Sequence, residues 1–185
     1  MIIKISDIPV EGRELDLLLD PAKLNSRVRA VQASIPAGSV LPPDYSFQGH
    51  PQSHIKLQLE GTSVLLSGTA SAEYLSNCAR CAEETTKKLK IPLQVVLKPH
   101  TERAKEDEVD DLCLGYYEGD QLDGAGIVEE FILLALPYTV YCQEGCQGLC
   151  PHCGVNLNQT KCGCAEERAG DERFAILKQL KIKQS

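Results

Sequence analysis

Tryptophan is absent from this chain, and three phenylalanines and six tyrosines make up its whole aromatic complement. Binding of single-stranded nucleic acid by base stacking needs aromatic platforms, so that mode is disfavoured from the outset. Long hydrophobic runs are missing as well. The longest, Phe131 to Leu136, is stopped by Pro137 and falls far short of the roughly 20 apolar residues a bilayer span requires. The opening residues Met1-Ile2-Ile3-Lys4-Ile5-Ser6-Asp7 lack the basic-then-apolar pattern of an export signal, so a cytoplasmic location is the expectation. No Ser-His-Asp pattern, phosphate-cradling loop or paired-carboxylate signature stands out. His50, His54, His100 and His152 share no ligand spacing. The chain is not expected to be an enzyme.

Net positive charge is also lacking. The formal charge is −7, and residues 102–130 concentrate it, with eleven acids against two bases. A phosphate backbone meets no global attraction here, whereas a basic protein would be drawn to the acidic segment. Lys87, Lys88 and Lys90, with Lys178, Lys181 and Lys183 near the end, are read first as solvated faces. They are kept as the alternative of direct RNA binding.

What the chain has in abundance is paired cysteine. Cys78 and Cys81 form one CxxC, and Cys150 and Cys153 form another within Cys150-Pro151-His152-Cys153-Gly154. Cys142 and Cys146 lie upstream of the second pair, Cys162 and Cys164 downstream. Thiols two to four residues apart can reach one tetrahedral ion, and in a reducing compartment such pairs favour metal over disulfides. Zinc is the expected metal, because thiolates suit it and four of them close a structural site.

Two groupings are open. Either Cys78, Cys81, Cys142 and Cys146 hold one ion while Cys150, Cys153, Cys162 and Cys164 hold a second, or a single ion is shared by the two CxxC knuckles. Two ions are favoured. Cys113 stands alone and is expected to be a small buried side chain. A dithiol redox role for Cys78 and Cys81 is the rival reading, but it calls for a helix N-terminus in a βαβ unit. No ferredoxin spacing supports an iron–sulfur cluster.

Period-two alternation dominates the rest. It marks Leu15, Leu17 and Leu19; Ile55, Leu57 and Leu59; a strand over 64–76; and a strand over 87–98. The last two flank Cys78–Cys81, which predicts a β-hairpin with two thiols at its tip. Prolines at 36, 42, 43 and 51 make residues 20–54 read as loops and short edge segments. Residues 99–111 read as a connector, with a short strand around Leu112, Leu114 and Tyr116. Asp123 is expected to cap a helix over 123–136 whose apolar stripe is Ile127, Val128, Phe131, Leu134 and Ala135, with Glu129 and Glu130 on its wet side. A last helix is expected over 171–183. The class is α+β: a mainly antiparallel sheet or partial barrel with one or two packing helices, over 1–141, and a cysteine-rich metal-binding tail over 142–185.

Several of these segments occur in a familiar order. Asn77-Cys78-Ala79-Arg80-Cys81-Ala82-Glu83 is followed by Glu130-Phe131-Ile132-Leu133-Leu134-Ala135-Leu136-Pro137. Then come Cys142, the run Cys146-Gln147-Gly148-Leu149-Cys150-Pro151-His152-Cys153-Gly154-Val155-Asn156-Leu157-Asn158, and Cys162-Gly163-Cys164. The chain thereby resembles the YceD family, the large ribosomal RNA subunit accumulation proteins of bacteria and plastids. The resemblance implies a non-enzymatic factor in ribosome biogenesis, whose partner is ribosomal RNA, a large-subunit ribosomal protein or an assembly factor. It also implies that cysteines 150–164 form an accessory site, since some relatives lack them. One departure is Ala82-Glu83-Glu84, where relatives commonly carry Leu-Glu-Pro.

Overall fold

The computed structural model describes residues 1–36, 43–101 and 114–164. Its centre is a β-hairpin built from the two longest alternating runs: β4 (Ser63–Asn77) and β5 (Glu84–Pro99) pair antiparallel from Val64↔Leu97 to Asn77↔Glu84. Alternate residues of β4 (Val64, Leu66, Ala70, Ala72, Tyr74) point to the same side as Ile91, Leu93, Val95 and Leu97 of β5, and all are buried. Two more antiparallel strands extend the sheet, β2 (Arg13–Leu18) and β3 (Ser46–Glu60), and β6 (Leu114–Tyr117) joins β5 in parallel. The order β2-β3-β4-β5-β6 leaves β2 and β6 at opposite edges, so the sheet is open and forms no closed barrel. A separate small ladder pairs β1 (Ile2–Lys4) with β7 (Gln121–Asp123).

Gly68 shows how tightly β3 and β4 meet. Its φ is +152°, and a Cβ there would lie 2.1 Å from the His54 carbonyl oxygen, so only glycine fits opposite Ile55.

Residues 20–54 depart from the loop expectation. They hold α1 (Pro21–Ser34) and the first half of β3. Asp20 caps α1 by accepting from the Ala22 N–H at 2.9 Å, and Pro21 sits at the first helical position, where its missing N–H costs nothing. Pro21 thus starts the helix, and Pro51 lies at the bulge between Gln48 and Gln52 without ending β3.

The helix α2 (Gly124–Leu134) is capped by Asp123, whose carboxylate accepts from the Gly126 N–H at 3.1 Å. Its buried face is rotated from the expected one. Val128, Ile132 and Glu129 are buried, while Leu134 is 77% exposed. Glu129 faces α1, where Lys23 Nζ lies 3.0 Å and Arg27 Nη1 3.3 Å from its two oxygens. A carboxylate can be buried when both oxygens are paired with cations that keep one end in water. Both helices pack on the inner side of the sheet, leaving the face with His54, Thr69, Ser71, Lys88 and Lys90 exposed. No helix among the described residues is long and apolar enough to cross a membrane. The connector, Cys113 and the helix expected over 171–183 lie outside the described residues.

Candidate metal centres

The turn between β4 and β5 carries the first CxxC. Cys78 N–H donates to the Glu83 carbonyl at 2.9 Å, and Ala82 N–H donates back to the Cys78 carbonyl at 2.9 Å. The same two bonds recur in the second knuckle, from Cys150 N–H to the Val155 carbonyl at 2.8 Å and from Gly154 N–H to the Cys150 carbonyl at 2.9 Å. Each turn needs a left-handed residue after its second cysteine. Gly154 adopts φ +72° there without strain, whereas Ala82 holds φ +59° with a Cβ.

After α2 the chain returns to the hairpin tip. Val140 accepts from the Ala79 N–H at 2.8 Å, and Lys87 Nζ donates to the Cys142 carbonyl at 3.0 Å. These bonds place Cys142 and Cys146 over Cys78 and Cys81. The two close sulfur pairs are Cys78–Cys146 at 3.8 Å and Cys81–Cys142 at 3.7 Å. Cys150, Cys153, Cys162 and Cys164 assemble separately, with Cys150 and Cys162 sulfurs 3.4 Å apart. In each group all four sulfurs lie within 4.8 Å of one another. The arrangement is the first of the two that the spacing allows.

The donor sets fit a tetrahedral thiophilic ion. Sulfurs ~2.3 Å from a zinc centre stand about 3.8 Å apart along the tetrahedron's edges, close to the first two separations above. Disulfide sulfurs, at ~2.05 Å, would be far closer, and all eight of these cysteines are free. Both groups could hold metal ions.

Four thiols this close cannot all ionise unaided, and the individual groups diverge. Burial pushes Cys78 upward, but N–H groups of Cys142, Cys81 and Arg80 outweigh it and bring the thiol down to about 6. Burial takes Cys142 up to about 12. In the second group the N–H groups of Cys153 and His152 lower Cys150 to about 6, while the neighbouring Cys153 thiol and burial raise Cys164 to about 12. Only a cation at the centre lets every sulfur become a thiolate.

Two residues to which the spacing assigned no role organise the region. Arg80 donates its N–H to Cys78 Sγ at 3.4 Å and its Nη1 to the Cys146 carbonyl at 2.9 Å. Its guanidinium also stacks 4.9 Å from the Tyr141 ring centre. Asn158, on the loop between Cys153 and Cys162, reaches across to the first group and donates Nδ2 to Cys146 Sγ at 3.3 Å. The Asn156-Leu157-Asn158 pattern was the available signal, since asparagines two apart build side-chain-to-backbone turns. Here Asn156 Oδ1 accepts from the Asn158 N–H at 2.9 Å.

The first group is the more enclosed, with Cys78, Cys81 and Cys146 buried and Cys142 half-buried. In the second, Cys153 is exposed and only Cys150 is buried. Among the basic residues weighed for RNA, Lys87 donates to Cys142 and Lys88 lies 3.8 Å from Glu73, which leaves Lys90 among the described residues; Lys178, Lys181 and Lys183 lie outside them. The described acids of the 102–130 segment are also partly engaged. Asp120 accepts from Ser6, Asp123 caps α2 and Glu129 is buried.

Comparison with known proteins places the sequence that builds both sulfur groups in a family. The family model described as large ribosomal RNA subunit accumulation protein YceD matches residues 66–181, and so takes in both sulfur groups. An uncharacterized protein of Mycobacterium tuberculosis is 29% identical over 105 residues, covering 56% of this chain and 50% of that protein. A counterpart in Mycobacterium leprae is 29% identical over 107 residues, 56% of this chain and 48% of its own. The Arabidopsis thaliana protein named large ribosomal RNA subunit accumulation protein YCED homolog 1, chloroplastic, is 34% identical over 50 residues. That match covers 27% of this chain and 16% of the Arabidopsis protein. The chain spans about half the length of the mycobacterial relatives it matches. No solved structure matches it.

Proposed function

The chain belongs to the YceD family, and from that membership and its two four-sulfur cages we propose a metal-stapled, non-enzymatic factor for large-subunit ribosomal RNA accumulation. The observation that carries this reading is the extent of the family match, which runs through both cages and through α2, between the two cysteine pairs of the first. The ligands are Cys78, Cys81, Cys142 and Cys146 in one site and Cys150, Cys153, Cys162 and Cys164 in the other, and the metal is zinc. Bound zinc would supply cross-linking and charge neutralisation. Four thiolates close its coordination sphere, which leaves no position for a substrate and supports a structural role.

The protein's own residues do the rest. β4 and β5 hold one cysteine pair rigidly, Lys87 and Arg80 fix the carbonyls of Cys142 and Cys146, and the segment after α2 is thereby locked to the sheet. The partner is a basic large-subunit ribosomal protein or assembly factor. The net charge of −7 and two doubly negative thiolate cages favour a cationic protein over naked RNA. The place of action is the cytoplasm. A dithiol redox role finds less support, because Cys78 and Cys81 sit on a strand-to-strand turn and share their sulfurs with a second pair.

The test is genetic and biochemical together. Deleting the gene should lower the ratio of large- to small-subunit ribosomal RNA, and the wild-type gene but not Cys78→Ser should restore it. An unchanged ratio on deletion would refute the reading. Capture of ribosomal RNA by the purified protein after removal of all ribosomal proteins would refute the protein partner.

A further inference from the structure

We infer that the second sulfur cage is not an accessory: through Asn158 it supplies an outer hydrogen bond to the first cage, so the first site's hold on its ion depends on the second being formed. The inference rests on the metal reading above and concerns how the two sites communicate.

Asn158 belongs to the second cage, on the eight-residue loop separating Cys153 from Cys162. Its side chain nevertheless points at the first. The amide's orientation is over-determined. Oδ1 accepts from the Gln147 N–H at 2.8 Å, and Nδ2 donates to Asn156 Oδ1 at 2.8 Å while facing Cys146 Sγ at 3.3 Å. Reversing the amide would set Nδ2 against an N–H and an oxygen against both Asn156 Oδ1 and the sulfur, so only this orientation satisfies the network.

Three more contacts dock the second cage onto the first knuckle. Leu149 N–H donates to the Arg80 carbonyl at 3.1 Å. Gln159 Nε2 donates to Glu83 Oε1. Gly148, with φ +77°, passes so close that a Cβ would lie 3.1 Å from the Arg80 carbonyl oxygen. The loop bearing Asn158 is held at both ends by the second cage's own cysteines, Cys153 before it and Cys162 after it. If that cage opens, the loop loses the tether at both of its ends, and hydrogen bonds such as Gln147 N–H to Asn158 Oδ1 alone keep the donor on Cys146. An N–H aimed at a metal-bound thiolate disperses its charge and orients it, and losing such outer partners typically weakens a metal site about 10–100-fold.

The test uses the full chain loaded with cadmium, followed by cadmium NMR and by the rate of metal transfer to a competing chelator. Two resonances are expected, and Cys150→Ser identifies the first-cage signal by abolishing the other. That variant should also release first-cage cadmium about tenfold faster or more. Asn158→Asp is the sharper probe. It keeps an oxygen for the Gln147 N–H but turns an anionic oxygen towards the sulfur, so the first-cage resonance should shift and its metal should leave faster, with the second-cage signal still present. An unmoved first-cage resonance and unchanged release rate in Asn158→Asp would overturn the coupling, even if Cys150→Ser failed to fold. Absence of cadmium binding altogether would instead refute the metal reading itself.

Discussion

The sulfur atoms of Cys78 and Cys146 lie 3.8 Å apart, although 68 positions separate them in the chain. Between them run all of β5, β6, β7 and α2, so an ion gripping both would staple the segment after α2 to the tip of the hairpin. The Cys81–Cys142 pair closes a loop of nearly the same length, 61 positions.

Removing the metal should therefore unfold more than the tail. A crosslink across about 60 residues takes about 4 kcal/mol of conformational freedom from the unfolded chain. For a chain of this size that corresponds to a fall in Tm of about 10 °C. Thermal unfolding followed by circular dichroism, with and without a strong chelator, measures it. A Tm unchanged by complete metal removal would contradict the clamp.

Ala82 and Gly154 occupy equivalent left-handed positions in the two knuckles, at φ +59° and +72°. The alanine pays for its Cβ, so Ala82→Gly should stabilise the metal-loaded protein by about 1 kcal/mol. Gly154→Ala should cost a similar amount. Denaturant unfolding of both variants checks the pair of opposite signs.

Glu129 is buried while its partners Lys23 and Arg27 reach solvent. Truncating both cations would strand a carboxylate between α1 and α2. The double variant Lys23→Met with Arg27→Met should lose about 3 kcal/mol. Glu129→Gln should cost less, because the cations it leaves behind are already hydrated. Equal losses in the two variants would argue against the asymmetry.

On the open face of the sheet, His54 Nδ1 and Asp16 Oδ1 are 2.8 Å apart, and this hydrogen bond together with the nearby carboxylate raises the imidazole above its ordinary value of 6.5. A raised folded-state value means the pair contributes fully below 6.5 and is lost as pH climbs through the higher folded midpoint. Proton NMR should find the His54 midpoint above 6.5, and Asp16→Asn should bring it down. An identical midpoint in both proteins would remove the interaction.

The alternation of Val64 to Tyr74 and of Leu89 to Leu97 made the central hairpin legible, and with it the two thiols at its tip. Asp123 was readable as a cap for the same reason, because local chemistry decides it. What could not be read depended on distant neighbours. The rotation of α2 follows from Lys23 and Arg27, which lie some hundred positions earlier and make burial of Glu129 affordable. The prolines at 36, 42, 43 and 51 make residues 20–54 look like loop, and they mask the start signal of α1, in which Pro21 follows the capping Asp20. Spacing left two groupings of the eight thiols open; backbone bonds at Val140 and Lys87, invisible in the sequence, select one. Asn158's reach to Cys146 depends on how the second cage docks, which no local pattern specifies.

The most direct measurement is native mass spectrometry of freshly purified full-length chain, with thiol alkylation before and after chelation. The account predicts a mass increment of two zinc ions, with the cysteines of both cages resisting alkylation until the chelator is added. An apo mass with those cysteines alkylating freely would contradict it.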